Sequence, residues 1–157
     1  MDPNWPRWVF ASVADYLASV ATANSLPWLL DGAQDRSEAF ANATERVEIR
    51  ITGPYTQQPS IDYYLLTVDA NVLLQCRYEE KNAYRRQTLM GPFFQAMAGP
   101  IPVYKLGSEP GDDKSHLGCL ILPRGSQVKL HHFGQLTFPE RMSESMCDAR
   151  YVMDLTA

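Results

Sequence analysis

Two alternating stretches in the middle third of the chain, Glu45 to Thr52 and Ser60 to Cys76, constrain the fold more than any other feature. Read as a strand at ~3.3 Å per residue, the second would run to roughly 55 Å, whereas the compactness scaling for a chain of 157 residues gives a sphere only about 40 Å across. The strand must bend, or a hairpin must project from the body. A projecting hairpin with polar and apolar residues on both faces offers a surface to a partner. Assembly is therefore the first functional expectation and catalysis the second.

With 45% hydrophobic residues in 157, the chain can bury one core, and a single domain spanning 1–157 is expected. The 14 basic and 18 acidic residues leave a net charge of −4, which argues against a protein that grips nucleic acid by its phosphates. Cys76, Cys119 and Cys147 are odd in number and far apart, which fits a reducing compartment rather than a disulfide framework. Cys76 and Cys119 sit in apolar runs and read as core residues. The opening Met1-Asp2-Pro3-Asn4-Trp5-Pro6 lacks the basic-then-apolar pattern of a leader, and no apolar run reaches membrane-spanning length. A soluble, unsecreted protein is expected.

Asn4 as a cap with Pro6 in the first turn predicts a helix from Arg7 to about Ala23, with Val9, Val13, Leu17 and Val20, joined by Phe10 and Tyr16, facing a sheet. Asp31 to Ser37 is a polar connection with an Asp-Gly turn. Trp28, Leu29 and Leu30 read as a loop tucked against the core rather than as an exposed docking site.

In Glu45 to Thr52, alternation turns Val47, Ile49 and Ile51 inward and Arg46, Glu48 and Arg50 outward, as in an antiparallel strand with one wet face. Gly53-Pro54 starts a connection through Gln57, Gln58 and Pro59. The next strand carries Tyr64, Leu66, Val68, Ala70, Val72 and Leu74 on one face. Its other face is apolar at the ends and polar in the middle.

A second helix is expected from about Glu80 to Met97, kinked or split at Gly91-Pro92. A short strand from Val103 to Leu106 follows, then a loop from Gly107 to Ser115 whose Glu109, Asp112 and Asp113 are solvated or channel-facing. Leu117 to Leu122 and Gln127 to Thr137 flank Pro123-Arg124-Gly125-Ser126, a hairpin signal, and Cys147 to Thr156 supplies the last strand. Val13, Leu17, Val47, Ile49, Leu66, Val68 and Phe93 are the expected core.

Catalytic chemistry is sparse. His131 and His132 are adjacent on a strand, so they point to opposite faces and cannot share a metal. His116 and Cys119, near Asp112 and Asp113, have no second cluster to complete a site. No nucleophile elbow, phosphate-binding loop, dinucleotide fingerprint or zinc-binding helix motif occurs. No catalytic, cofactor or metal site is expected. Arg85, Arg86 and Lys81 on the second helix could meet phosphate, although such charges more often mark a solvated face or a protein interface.

The order of elements then becomes informative. A helix, a long antiparallel hairpin from Glu45 to Cys76 broken at Gly53-Pro54, a central helix and terminal strands ending in Tyr151-Val152-Met153-Asp154-Leu155 resemble the tail-terminator proteins of long-tailed bacteriophages. The likeness spans about Arg7 to Leu155. It implies an α+β fold, an antiparallel sheet with a projecting hairpin packed by an N-terminal and a central helix, and no enzymatic activity. It further implies a hexameric ring that caps the tail tube, with the tail tube protein and a head-side neck protein as partners, in a virion assembled in the host cytoplasm. Double-stranded DNA would pass through without specific binding, and no membrane is involved. The stretch Gly107 to Thr137 is longer and more strand-rich than the family pattern, which leaves ring size and neck position open. A head-to-tail stopper or adaptor, or a small α+β ligand-binding domain or enzyme, are the alternatives. For a ring, the candidate subunit interface is Arg46, Glu48, Arg50, Tyr63, Asp69, Arg85 and Arg86, because alternating charge can fix subunit register. Glu109, Asp112 and Asp113 are the candidate lumen-facing residues, suited to a wall that repels phosphate.

Overall fold

The computed structural model describes residues 2–30, 40, 42–77, 84–106, 114–135 and 142–156. Its elements are α1 (Trp5–Ala23), β1 (Trp28–Leu30), β2 (Glu45–Ser60), β3 (Tyr63–Arg77), α2 (Arg85–Ala98), β4 (Ile101–Lys105), β5 (Ser115–Leu120), β6 (Lys129–Gln135) and β7 (Met142–Thr156). They form an α+β fold with a five-stranded sheet ordered β1-β2-β3-β7-β6 and a separate β4-β5 pair.

The period-two pattern of β3 dictates the layering. Leu66, Val68, Ala70, Val72 and Leu74 are fully buried, facing Met153, Tyr151, Ala149, Cys147 and Ser145 across β7. Val47 and Ile49 continue this face on β2. α1 packs against β2 and β4, and α2 against β3 and β7. All the expected core residues are buried, including Val13, Leu17 and Phe93. At ~1.5–3 kcal/mol for each fully buried large aliphatic or aromatic side chain, this face outweighs the weak local propensities.

Because α1 meets β4 as well as the main sheet, its buried stripe is broad and takes in Trp8, Ser12 and Ala21. Ser12 Oγ accepts the Tyr104 N–H at 3.0 Å, and Trp8 Nε1 donates to the Leu106 carbonyl at 3.1 Å. Phe10, expected on the packed face, is 37% exposed on the other side. Asn4 occupies the cap position without a side-chain cap bond, since its amides donate instead to Asp2 Oδ1.

Several connections differ from the sequence reading. Trp28 to Leu30 is a strand, parallel to β2, rather than a loop. Three residues are too few to display a period. Gly53-Pro54 does not end β2: the register slips between Thr52 and Tyr55, and pairing resumes at Tyr55 with Thr67. Gly53, at φ +104°, makes this bulge, and a Cβ there would stand 3.0 Å from the Thr67 carbonyl oxygen. The hairpin turns at Ile61-Asp62 instead of near Gln58. α2 runs through Pro92 as one helix from Arg85, and the expected start at Glu80 lies outside the described residues.

The turn at Pro123 to Ser126 exists but joins no hairpin. β5 pairs with β4, whereas β6 pairs with β7. Ile121 bridges Val152, and Lys129 sits opposite Asp148. The chain therefore follows one edge of β7 using about twice the residues that β7 uses, and the surplus loops outward. Gly118, at φ +154°, lies where β5 meets β7, with Met153 Cε filling the space a Cβ would take.

Candidate assembly surface

Both helices lie on the Val47-Leu66-Tyr151 side, whereas the other side of β2, β3 and β7 is only partly covered, with Leu73 buried on it and Phe40 lying against Arg46. On that outer face the sheet presents Arg46, Glu48, Arg50 and Thr52 from β2, opposite Gln75, Leu73, Asn71 and Asp69. β7 adds Glu144, Met146, Asp148 and Arg150. Near the Phe40 end the Glu48 side chain is 12% exposed, and the face opens to water toward Arg50 and Arg150, at 44% and 64%.

Its charges are ordered by cross-strand pairing. Arg46 Nε donates to Gln75 Oε1 at 2.7 Å, and Gln75 Nε2 donates to Glu144 Oε1 at 2.6 Å, a ladder across three strands. Arg46 also lies over the Phe40 ring. Arg50 pairs with Glu48 at 3.3 Å. Arg150 grips Asp69 with two bonds, at 2.7 and 3.0 Å, which raises the guanidinium pKa further. Tyr63 donates its hydroxyl to Asp154, and the bond to that carboxylate raises the phenol's pKa.

Beyond the bulge, the hairpin does not project as a two-stranded ribbon, since β7 pairs with β3 as far as Thr156 opposite Tyr63; the end of β2 and the turn form an exposed arm along the sheet edge. Pairing with β3 continues to Ser60 opposite Tyr63, yet every residue from Tyr55 to Asp62 is exposed, whichever way it points from the pleat. Tyr55 is 54% exposed and Ile61, at the tip, 85%. The tip carries Gln57, Gln58, Ser60 and a single charge, Asp62.

The looped-out turn raises a wall beside the outer face. Gly125, Ser126 and Gln127 enclose, with Thr52, Asp69, Asn71, Arg150, Asp148 and Lys129, a cleft of about 730 Å³. Asp69 is held by Arg150. Asp148 Oδ1 is sealed from solvent, 3.4 Å from His131 Nε2 and without a hydrogen bond among the described residues. Lys129 has no ion-pair partner there among the described residues.

Of the residues singled out in the sequence, Arg46, Glu48, Arg50, Tyr63 and Asp69 share this face. Arg85 and Arg86 do not. Arg85 pairs with Glu45 at 2.8 Å at the opposite end of β2 from the arm, and Arg86 donates to the Phe133 carbonyl at 2.9 Å. Glu109, Asp112 and Asp113 lie outside the described residues. His131 and His132 do part company: His132 Nδ1 lies 2.7 Å from Ser145 Oγ. Burial, with Arg86 nearby, lowers the pKa of His132. Cys119 is half-buried rather than core, its Sγ 3.6 Å from His116 Nε2. Among the described residues no three His, Cys, Asp or Glu side chains gather to hold a metal, and no helix is long and apolar enough to cross a membrane. The cleft escaped the sequence reading because its walls come from four separate segments. No protein-family model and no curated protein matches the chain.

Proposed function

We propose that this protein is a structural subunit of a homo-oligomeric ring at the head-tail junction of a long-tailed bacteriophage, closing the tail tube and joining it to the neck. The observation that carries the reading is the arm: the end of β2, exposed at every residue from Tyr55 through the turn at Asp62. β3 stays paired with β7 along this stretch, so the arm is the outer strand of a three-stranded end of the sheet, and an exposed edge segment of this kind is a surface that a neighbour can cover. The ordered charges of the outer face add a surface able to discriminate between neighbours. The tail tube protein and a head-side neck protein are its partners in the virion, after assembly in the host cytoplasm.

A hexamer is the stoichiometry the resemblance implies, and DNA passes the ring without being gripped. The polar cleft favours a second reading, a ligand-binding α+β domain, since its volume falls within the ~300–1,000 Å³ of small-molecule sites. Light scattering on the purified protein at high concentration, with negative-stain images, separates the two. Discs support the ring, whereas compact monomers or dimers support the ligand-binding domain.

A further inference from the structure

We propose that the arm of one copy docks by its tip, Gln57 to Asp62, in the outer-face cleft of the next copy, with Asp62 beside Lys129. This rests on the ring reading and specifies its subunit contact.

The mode of docking follows from the arm's own chemistry. Among the described residues, β1 covers β2 only from Val47 to Ile49, and no other strand pairs with the rest of that β2 edge. Pro54 and Pro59 interrupt that edge, since neither has an N–H to donate, and prolines on an edge strand oppose backbone pairing. What the arm can offer a neighbour is therefore its turn and side chains. Those are amides, a hydroxyl, one apolar knob and one carboxylate.

The cleft answers that inventory. Asn71, Ser126, Gln127 and Thr52 supply donors and acceptors for the amides, and an apolar groove would leave those amides unpaired at a cost. Within the cleft, Arg150 and Asp69 satisfy each other, and Asp148 Oδ1 is turned away from solvent toward His131. Lys129 is the cation left over for an incoming carboxylate, and Asp62 is the only formal charge on the tip.

Arm and cleft are different surfaces of one chain, so the contact is head-to-tail. Every copy then has one donor and one acceptor surface, and such an interface generates a closed ring when its rotation closes.

Charge exchange tests the contact. Asp62→Lys and Lys129→Glu should each raise the concentration for half-assembly by about tenfold or more, and the double variant should return to within about threefold of the natural chain. Single variants that assemble normally, or a double variant that is not rescued, would overturn the docking while leaving the ring reading intact. A benzophenone-bearing residue in place of Ile61 gives an independent measurement, using mixed heavy-isotope and unlabelled protein. Cross-links between copies, from position 61 to residues 125–129, are expected. Cross-links confined to one chain, or to another surface of the second copy, would refute the contact. If the natural chain forms no ring at all, the ring reading falls and the docking with it.

Discussion

Tyr151, in the middle of β7, donates its hydroxyl to the carbonyl oxygen of Met97 in the last turn of α2, at 2.7 Å. Both residues are fully buried, so the bond fixes the end of the helix against the sheet. It also satisfies a helix-terminal carbonyl that lies out of reach of water.

Tyr151→Phe keeps the ring and removes that donor. An unpaired buried carbonyl costs ~1–3 kcal/mol, which for a chain of this length lowers the melting temperature by about 2–4 °C per kcal/mol. Thermal unfolding followed by circular dichroism should show the loss. An unchanged melting temperature would mean that the bond contributes nothing to stability.

Alkaline stability follows from the thiols. Burial, with the Glu45 charge adding, pushes Cys76 from 9.0 up to about 11, and burial with Asp148 pushes Cys147 from 9.0 to about 12. The folded state keeps these protons after the unfolded chain has released them. The stabilisation is therefore complete below pH 9 and declines as the pH climbs from 9 toward 11 and 12. Urea midpoints should fall across that window, and fall less steeply when both cysteines are alanine. Equal slopes in the two proteins would place the alkaline sensitivity elsewhere.

Much of the main sheet was legible because burial leaves a period-two trace. Val47 and Ile49 on β2, and Leu66, Val68, Ala70, Val72 and Leu74 on β3, face the core as their spacing required. Partner choice leaves no such trace. The Pro123 to Ser126 turn has hairpin chemistry, yet its flanks pair with β4 and β7 rather than with each other. Gly53-Pro54 has the residues of a chain break and instead makes a bulge, because the β3 ladder resumes beyond it. The outer face could be anticipated strand by strand, but the pairing of Arg150 with Asp69 and of Gln75 with Glu144 depends on register, which no local pattern specifies. Lys129 went unnoticed, since nothing in its own segment shows that Asp148 and the turn converge on it.

Exchanging Glu48 and Arg50, as Glu48→Arg with Arg50→Glu, tests whether the charged face contributes to assembly. The two side chains can still pair with each other, and circular dichroism checks that the largely covered Glu48 site accepts the exchange. The pattern offered to a neighbour is reversed, and half-assembly should require a higher concentration. Assembly at the natural concentration would remove this strand from the interface.

DNA should pass without a grip. The chain's net charge is −4, and the arginines on the outer face are engaged within the protein. Filter binding to double-stranded DNA across a salt series should detect no complex near physiological salt. Micromolar affinity there would indicate a phosphate-binding surface and contradict the passive conduit.

The most direct test of the central claim is to mix the purified protein with cognate tail tubes still competent to grow, then image the tubes and weigh the unbound protein. Discs capping tube ends, tubes that stop lengthening, and assemblies at a whole multiple of 17.7 kDa are the predicted result. Tubes that stay bare and keep growing, beside a protein that remains a 17.7 kDa monomer at every concentration, would contradict it.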